Sequence, residues 1–167
     1  LTGRAECELR EEQEVFAAEF SCDGRWIALG LADGSVKLAD AKTGEVIAYV
    51  GKHDDPIAYG ALRFRRDGVR LASASLDGTA RMWDLTSALL AARTEGAPVV
   101  RSASDHLCFN MSSGNPAIAL WSLSYSPNGR HLITGDKDGQ LRLWDTENGA
   151  FIRGNSDAAR RGSLSVA

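Results

Sequence analysis

The sequence predicts an all-β protein assembled from repeated four-stranded antiparallel sheets. Three segments, beginning at residues 15, 59 and 120, align with one another, and each contains two turn pairs spaced ten residues apart. Seven residues after the second pair, each segment has a further aspartate, at positions 40, 84 and 145. The runs between the turns have the length of strands and are too short for ordinary helices. This agreement indicates one structural unit repeated along the chain.

The turn pairs predict the hairpins of each unit. Asp-Gly and Asn-Gly favour tight turns because both positions tolerate a positive φ. In chain order the pairs are Asp23-Gly24 and Asp33-Gly34, Asp67-Gly68 and Asp77-Gly78, and Asn128-Gly129 and Asp138-Gly139. Three strands linked in this way, with a fourth following as in residues 45–50, form a small sheet that is apolar on both faces. Such a sheet must stack on copies of its own kind.

The segments LASASLDGTARMWD, LITGDKDGQLRLWD and IALGLADGSVKLAD resemble the WD-repeat family over residues 2 to about 153. This resemblance implies a WD40-type β-propeller, in which each four-stranded sheet is one blade. About three blades are expected, a partial ring, since propellers typically close with about four to eight. The expected partial propeller covers residues 1–156, with repeats at about 10–53, 54–117 and 118–156. Residues 5–9 resemble the outer strand of a preceding blade, and 157–167 form a tail or begin the next blade.

Composition and charge argue against several classes of function. The 167-residue chain has a net charge of −3, so it has no overall basic field for nucleic acid or an anionic membrane. No apolar run approaches the roughly 18 residues of a membrane helix. The three cysteines form no C-x-x-C pair, which favours reduced thiols and a cytoplasmic or nuclear location. No metal site and no cofactor is expected, because the histidines lack partners at ligand spacing and the glycines lie in turns.

The resemblance also implies a structural tetrad in each blade, formed by a turn Asp, a His of the preceding loop, a Ser or Thr on the second strand and a Trp on the third. The matching residues are Asp77, His53, Ser73 and Trp83 in the second repeat, Asp138, Thr134 and Trp144 in the third, and Asp33 in the first. An Asp-His-Ser set also invites interpretation as a hydrolase. Bracing a turn, however, requires no exposed nucleophile and no oxyanion donors, so we interpret the set as structural and expect no enzyme.

Departures from the repeat are the candidate sites for partner binding. The second repeat contains a long insertion at about 94–117, which we expect to be a loop on one rim of the ring, with Leu107 and Phe109 as apolar anchors. A solvated loop folded back on its blade is the alternative. Residues 87–92 are expected to form either the outer strand or a helical turn. Phe16 and Trp121 share one aligned position near the start of the inner strand, where either partner docking or core packing could hold them.

Ser163 follows Arg160-Arg161-Gly162 and resembles a site for a basic-directed protein kinase. Phosphorylation there would place about −1.5 to −2 charges beside two arginines. The alternative is that Leu164 and Val166 begin the next inner strand.

The leading functional hypothesis is a non-catalytic scaffold that presents rim loops to protein partners and assembles a complex. The resemblance implies this role, and the spacing of the repeats by itself predicts only the fold. The alternative is the regulatory or substrate-sensing part of a larger enzyme, such as a kinase, an NTPase or a ubiquitin ligase subunit. No nucleic acid or membrane is expected as a partner. Three blades leave apolar faces uncovered, so missing blades or a second copy are expected to complete the ring.

Overall fold

The computed structural model describes residues 9–92, 107–112 and 114–155. These residues form twelve strands and one short helix. The bounds are β1 Val15–Phe20, β2 Trp26–Leu31, β3 Ser35–Asp40, β4 Val46–Lys52, β5 Ile57–Phe64, β6 Arg70–Ser75, β7 Thr79–Asp84, α1 Thr86–Ala91, β8 Leu107–Ser112, β9 Leu120–Tyr125, β10 His131–Asp136, β11 Leu141–Asp145 and β12 Phe151–Gly154.

The strands form three four-stranded sheets, each antiparallel and ordered as in the chain: β1 to β4, β5 to β8 and β9 to β12. The first two turns of every sheet contain the Asp-Gly or Asn-Gly pairs, and their glycines have φ between 69° and 86°. The second sheet stands between the other two, since β5 contacts both β1 and β9. The predicted fold class is therefore confirmed, with an array of three sheets that does not close into a ring.

Two apolar layers hold the sheets together. Between the first and second sheets the buried layer includes Leu38, Leu62 and Trp83. Between the second and third sheets it includes Met82, Leu132 and Trp144. Stacking thus buries both faces of the middle sheet, as expected for units that cannot bury their own surface.

Glycine permits the close approach of the first two sheets. A Cβ atom added to Gly30 would lie 2.6 Å from Cγ2 of Ile57, and one added to Gly51 would overlap the ring of Trp83. Both glycines lie inside strands, where the residue usually weakens a sheet. Their position here lets large side chains of the second sheet fill the space against the backbone of the first.

The insertion of the second repeat agrees with one expectation and differs from another. Of the two alternatives for residues 87–92 the structure has the helical turn: Thr86–Ala91 form α1, and Ala88 and Leu89 pack into the layer between the first two sheets. The outer strand of the second sheet is β8, in which Leu107 lies opposite Trp83 and Phe109 opposite Met82. The insertion therefore separates the third and fourth strands of one sheet, and the expected rim loop with Leu107 and Phe109 as anchors is wrong. The helix forms there because its apolar pair docks on the core.

Trp26 also differs from its expected environment. Trp26, Arg70 and His131 align at one position of the second strand, and the sequence predicts partial exposure there; Trp26 is instead 4% exposed and belongs to the layer between the first two sheets. The guanidinium of Arg25 covers its ring at 5.2 Å from the centroid. His131 and Arg70 are half-buried.

The two outward faces of the array differ. On the first sheet, Leu29, Leu31 and Ala39 are buried, and Leu9 packs against them. On the third sheet, Ile133 and Leu141 are 38% and 47% exposed. The described residues include no helix with the length and apolar character needed to cross a membrane.

Candidate functional site

The second sheet contains a chain of hydrogen bonds that links its loop, second strand and third strand. The indole Nε1 of Trp83 donates to Ser73 Oγ at 2.8 Å. Ser73 Oγ lies 2.7 Å from Nε2 of His53, and Nδ1 of that ring lies 3.1 Å from Oδ2 of Asp77. One direction of donation satisfies every atom: indole to hydroxyl, hydroxyl to Nε2, and Nδ1–H to carboxylate. The neutral imidazole is the form that this chain requires.

The Asp77 carboxylate has several further donors. Its Oδ1 accepts the backbone N–H of Thr79 at 2.8 Å and the Thr79 hydroxyl at 2.7 Å, and its Oδ2 accepts the N–H of Asp54 at 3.1 Å. Burial alone would raise the pKa of Asp77, but the hydrogen bonds from His53 and Thr79 outweigh it and hold that pKa well below its usual range. Burial lowers the pKa of His53, against the raising effect of Asp77.

These four residues cannot reach a substrate in the described structure. Ser73 is 0% exposed and His53 is 1% exposed. Ser73 Oγ also accepts the indole N–H of Trp83 at 2.8 Å, so the oxygen that would act as the nucleophile is held inside the core by two partners. The geometry therefore favours a brace for the β6–β7 turn over an acyl-transfer site.

The third sheet keeps half of this arrangement and replaces the rest. Trp144 Nε1 donates to Thr134 Oγ1 at 2.9 Å. Asp138, the residue expected in the tetrad, is exposed, and Asp136 is buried instead. Asp136 accepts the backbone N–H groups of Asp138 and Gln140, and Nη1 of Arg142 lies 2.5 Å from its Oδ2. In the third sheet the guanidinium of Arg142, from β11, thus takes the place that the histidine ring has in the second sheet. The buried carboxylate is that of Asp136, two residues before Asp138 in the chain.

In the first sheet Asp33 caps its own turn. Its carboxylate accepts the N–H of Ser35 at 3.0 Å and the Ser35 hydroxyl at 2.8 Å, and lies 3.6 Å from Lys52 Nζ. Burial alone would raise the pKa of Asp33, but the Ser35 hydrogen bonds and the Lys52 charge lower it. Leu29 and Ala39 occupy the Ser/Thr and Trp positions and are buried in an apolar cluster.

The innermost strand of every sheet has a β-bulge that contains an aromatic residue. Between β1 and β2 the register shifts at Phe16, and between β9 and β10 it shifts at Trp121. In β5 the irregular stretch between Ile57 and Leu62 contains Tyr59, followed by Gly60 with a φ of 65°. A bulge redirects the side chain of the extra residue, and bulges are frequent beside binding sites.

The three bulged aromatics meet at one end of the array. They line a cleft of about 410 Å³. Its walls, which we call the aromatic cleft, are Phe16, Ile57, Ala58, Tyr59, Leu76 and Trp121. Tyr59 is 76% exposed, Trp121 is 57% exposed, and the ring of Phe16 stacks on Tyr59 with centroids 4.4 Å apart. Exposed aromatic rings grouped in this way are typical of protein-binding surfaces.

The sequence identified part of this cleft. Phe16 and Trp121 were expected at one structural position, and they line the same cleft. Tyr59, Leu76 and Ile57 were not expected there. The aligned position in the second repeat is Gly60, and its Tyr59 neighbour becomes the aromatic wall because the bulge in β5 contains extra residues. The Tyr-Gly pair in the sequence is the feature that could have indicated this.

The other expected sites lie elsewhere or outside the described residues. Phe109 packs against the layer between the second and third sheets. Leu107 is 41% exposed on β8. Two expected regions lie outside the described residues: 157–167, which includes Ser163, and the part of the insertion at 94–106. Over the described ranges, no group of three or more His, Cys, Asp or Glu side chains could hold a metal ion.

Comparison with known families agrees with the repeat seen in the structure. The family model described as WD domain, G-beta repeat matches the chain at residues 6–40, 44–84 and 107–145. The third matched segment begins at Leu107, so it includes β8, the outer strand of the second sheet.

Curated relatives match most of this chain but small parts of longer proteins. It is 27% identical to the DENN domain and WD repeat-containing protein SCD1 of Arabidopsis thaliana, over 86% of this chain and 14% of that protein. It is 28% identical to WD repeat-containing protein 1 of Gallus gallus, over 81% of this chain and 27% of that protein. It is 28% identical to the Periodic tryptophan protein 2 homolog of Schizosaccharomyces pombe, over 83% of this chain and 15% of that protein. The chain thus spans between 14% and 27% of the length of these relatives.

Proposed function

Because the chain belongs to the WD-repeat family, we propose that it is a non-catalytic scaffold that binds a protein partner through the aromatic cleft and helps to assemble a complex. A repeat domain for protein interaction is what the family match supports in general terms. The single observation that supports the specific proposal is the convergence of three bulged aromatic residues on one exposed cleft.

The position of these rings suits binding more than core packing. A core aromatic is expected to be buried, whereas Tyr59 and Trp121 leave most of their surface open to solvent. Both belong to strands whose sheets are stacked on a rigid core, so little conformational entropy is lost when a partner covers them.

A second candidate is the regulatory or substrate-sensing part of a larger protein with enzymatic activity. One observation supports the larger protein in this candidate: the chain matches 14% of the length of a relative whose name includes a DENN domain beside the WD repeats. In that arrangement the aromatic cleft would receive a domain of the same polypeptide or its substrate.

We place the protein in the cytoplasm or nucleus, with protein partners. The cysteine pattern supports this placement, because the three cysteines of the chain form no C-x-x-C pair and reduced cysteines are typical of these compartments.

Site-specific photo-crosslinking tests the proposal. A photoreactive phenylalanine analogue replaces Tyr59 in the cleft or, as a matched control, Phe20, which is 62% exposed at the far end of β1. In cells that express the protein, Tyr59 should give discrete crosslinks to another protein that Phe20 does not give. Those crosslinks should disappear with Trp121→Ser. Identical patterns from both positions, or none from Tyr59, would contradict the proposal.

A further inference from the structure

We propose that the aromatic cleft selects a protein segment in which a large aliphatic or aromatic side chain stands next to a lysine or arginine. This inference rests on the proposed function, and it adds the chemistry of the partner.

The lining of the cleft specifies the apolar part of that segment. All six lining residues are aliphatic or aromatic, and the volume of about 410 Å³ exceeds that of one large side chain. A charged group inside these walls would lose its hydration without gaining a charged partner, so an apolar group is favoured there. Stacking between Phe16 and Tyr59 fixes one wall before binding.

The rim of the cleft specifies the charge beside it. Glu14 is exposed two residues before Phe16, and its carbonyl accepts the N–H of Ala32 at the end of the first sheet. Asp55 is exposed in the loop that leads into β5, and its carbonyl accepts the hydroxyl of Ser75 beside Leu76. The first and second sheets therefore each have an exposed acidic residue two positions before a lining residue of the cleft, Phe16 or Ile57.

The basic residues near this part of the rim are already in contact with acids. Lys52 lies 3.6 Å from Asp33, and Arg63 lies 3.6 Å from Glu19. Arg81 lies 3.7 Å from Asp54 and 3.7 Å from Asp77. Their charge is thus largely compensated within the protein, and Glu14 and Asp55 give the rim of these two sheets an acidic character.

At the matching place the third sheet has an exposed lysine, followed by the exposed Asp138, and this lysine gives the segment a direction. Lys137 is exposed, and its N–H donates to the carbonyl of Ala119 just before β9. It occupies the position that Ala32 and Leu76 have in the other sheets. The basic residue of the partner should therefore face Glu14 and Asp55, on the side away from Lys137.

A random-sequence peptide library displayed on phage and selected on the whole chain tests this inference. Enriched peptides should contain a large apolar residue beside lysine or arginine. Measured by fluorescence polarisation, their affinity should fall about three- to tenfold with Glu14→Lys and rise with Lys137→Glu, and added salt should reduce it. Trp121→Ser should abolish binding. Glu45→Lys, at the β3–β4 turn on the opposite end of the first sheet, is the matched control and should change nothing.

Several results would overturn the inference. Enriched peptides without basic residues would contradict the preference for lysine or arginine. Affinities that do not change with Glu14→Lys and Lys137→Glu would contradict it as well. Self-association that Trp121→Ser abolishes, with no peptide enriched, would assign the cleft to a second copy of the chain. In each case protein crosslinks specific to Tyr59 would still support the proposed function, whereas their absence would defeat that function whatever the peptides show.

Discussion

At the scale of single residues, the sheets differ in how they satisfy a buried carboxylate near a tight turn. A carboxylate near a tight turn must have its oxygens satisfied when it is buried. The second sheet uses the neutral ring of His53, and the third uses the guanidinium of Arg142 with a carboxylate at a different position. These solutions predict different responses to substitution and to pH.

Stability should decrease as the pH falls through the ordinary range of histidine titration. The pKa of His53 is lowered in the folded protein from 6.5, so below that pH the unfolded chain binds a proton that the folded one does not. The free energy of unfolding should therefore fall by up to about 1.4 kcal/mol per pH unit below that value. Asp77, whose pKa is also lowered, adds a further loss below 3.8. Urea unfolding between about pH 7.5 and about pH 5.5 measures the first loss.

One substitution separates His53 from other titrating groups. His53→Gln should reduce the dependence of stability on pH over this range. Equal dependence in the substituted and unsubstituted proteins would contradict the assignment to His53.

The third-sheet carboxylate gives a direct comparison of two neighbouring aspartates. Asp136→Asn should lower the free energy of unfolding by about 1–3 kcal/mol, because Arg142 would lose its ionic partner in a partly buried position. Asp138→Asn, at an exposed residue, should change it by less than about 0.5 kcal/mol. Chemical denaturation of both variants measures the difference, and a larger loss from Asp138→Asn would restore the sequence-based tetrad.

Three tryptophans should divide by burial. Trp83→Ala and Trp26→Ala should each cost about 3–5 kcal/mol, since both rings are almost fully buried between the first two sheets. Trp121→Ala should cost less than about 0.5 kcal/mol, because its ring faces solvent in the cleft. Urea denaturation measures all three costs. A small cost for Trp26→Ala would contradict its burial and favour the partly exposed position that the sequence predicts.

At the scale of strands and sheets, packing distance is set by the residues that face the neighbouring sheet. Gly51 lies in β4 directly against the ring of Trp83, where no Cβ can be accommodated without movement. In the inner strands β1, β5 and β9, by contrast, bulges direct aromatic rings away from the core and into solvent. The residues that face a neighbouring sheet thus contribute to stability, and the bulged residues of the inner strands form a surface for binding.

Gly51→Ala should destabilise the protein although alanine suits a strand better than glycine. The added methyl group would force the Trp83 ring or the β4 backbone to shift, at a cost of about 1–3 kcal/mol. Lys52→Ala, at the exposed next residue of β4, is the matched control and should change stability by less than about 0.5 kcal/mol. Thermal or urea unfolding measures both, and equal effects would show that the sheets do not pack this closely.

At the scale of the whole molecule, the array has one face whose apolar residues remain partly exposed. Ile133, Leu141 and Leu143 lie on the outward side of the third sheet, around a depression next to Arg153. Their counterparts on the first sheet are buried, with Leu9 packed against them. Contact with further blades or with a second copy would cover the third-sheet face in the way that the second sheet covers its neighbours.

The chain on its own should therefore associate as its concentration rises. Leu141→Glu should weaken this association, because a carboxylate on the open face resists desolvation. Leu90→Glu, at a 68% exposed residue of α1, is the control and should leave association unchanged. Sedimentation velocity across a concentration series gives the result. A monomer at every concentration, for the unsubstituted chain, would contradict the prediction.

The repeating unit, its turns and its fold class follow from patterns in the sequence. Asp-Gly and Asn-Gly pairs act through local backbone geometry, so their spacing predicts hairpins without knowledge of the surroundings. The resemblance to the WD-repeat family implies the pairing of Trp83 with Ser73 and of Trp144 with Thr134, and these hydrogen bonds join strands whose register the turns impose.

The exposure of individual residues and the place of the insertion depend on how the sheets pack. Trp26 is buried because a second sheet stacks on the first, and α1 precedes β8 because its apolar residues dock between those sheets. The aromatic cleft arises in the same way: bulges in three separate strands bring Phe16, Tyr59 and Trp121 together from distant parts of the chain. Local sequence fixes each turn and strand, but burial and convergence depend on which sheet packs against which.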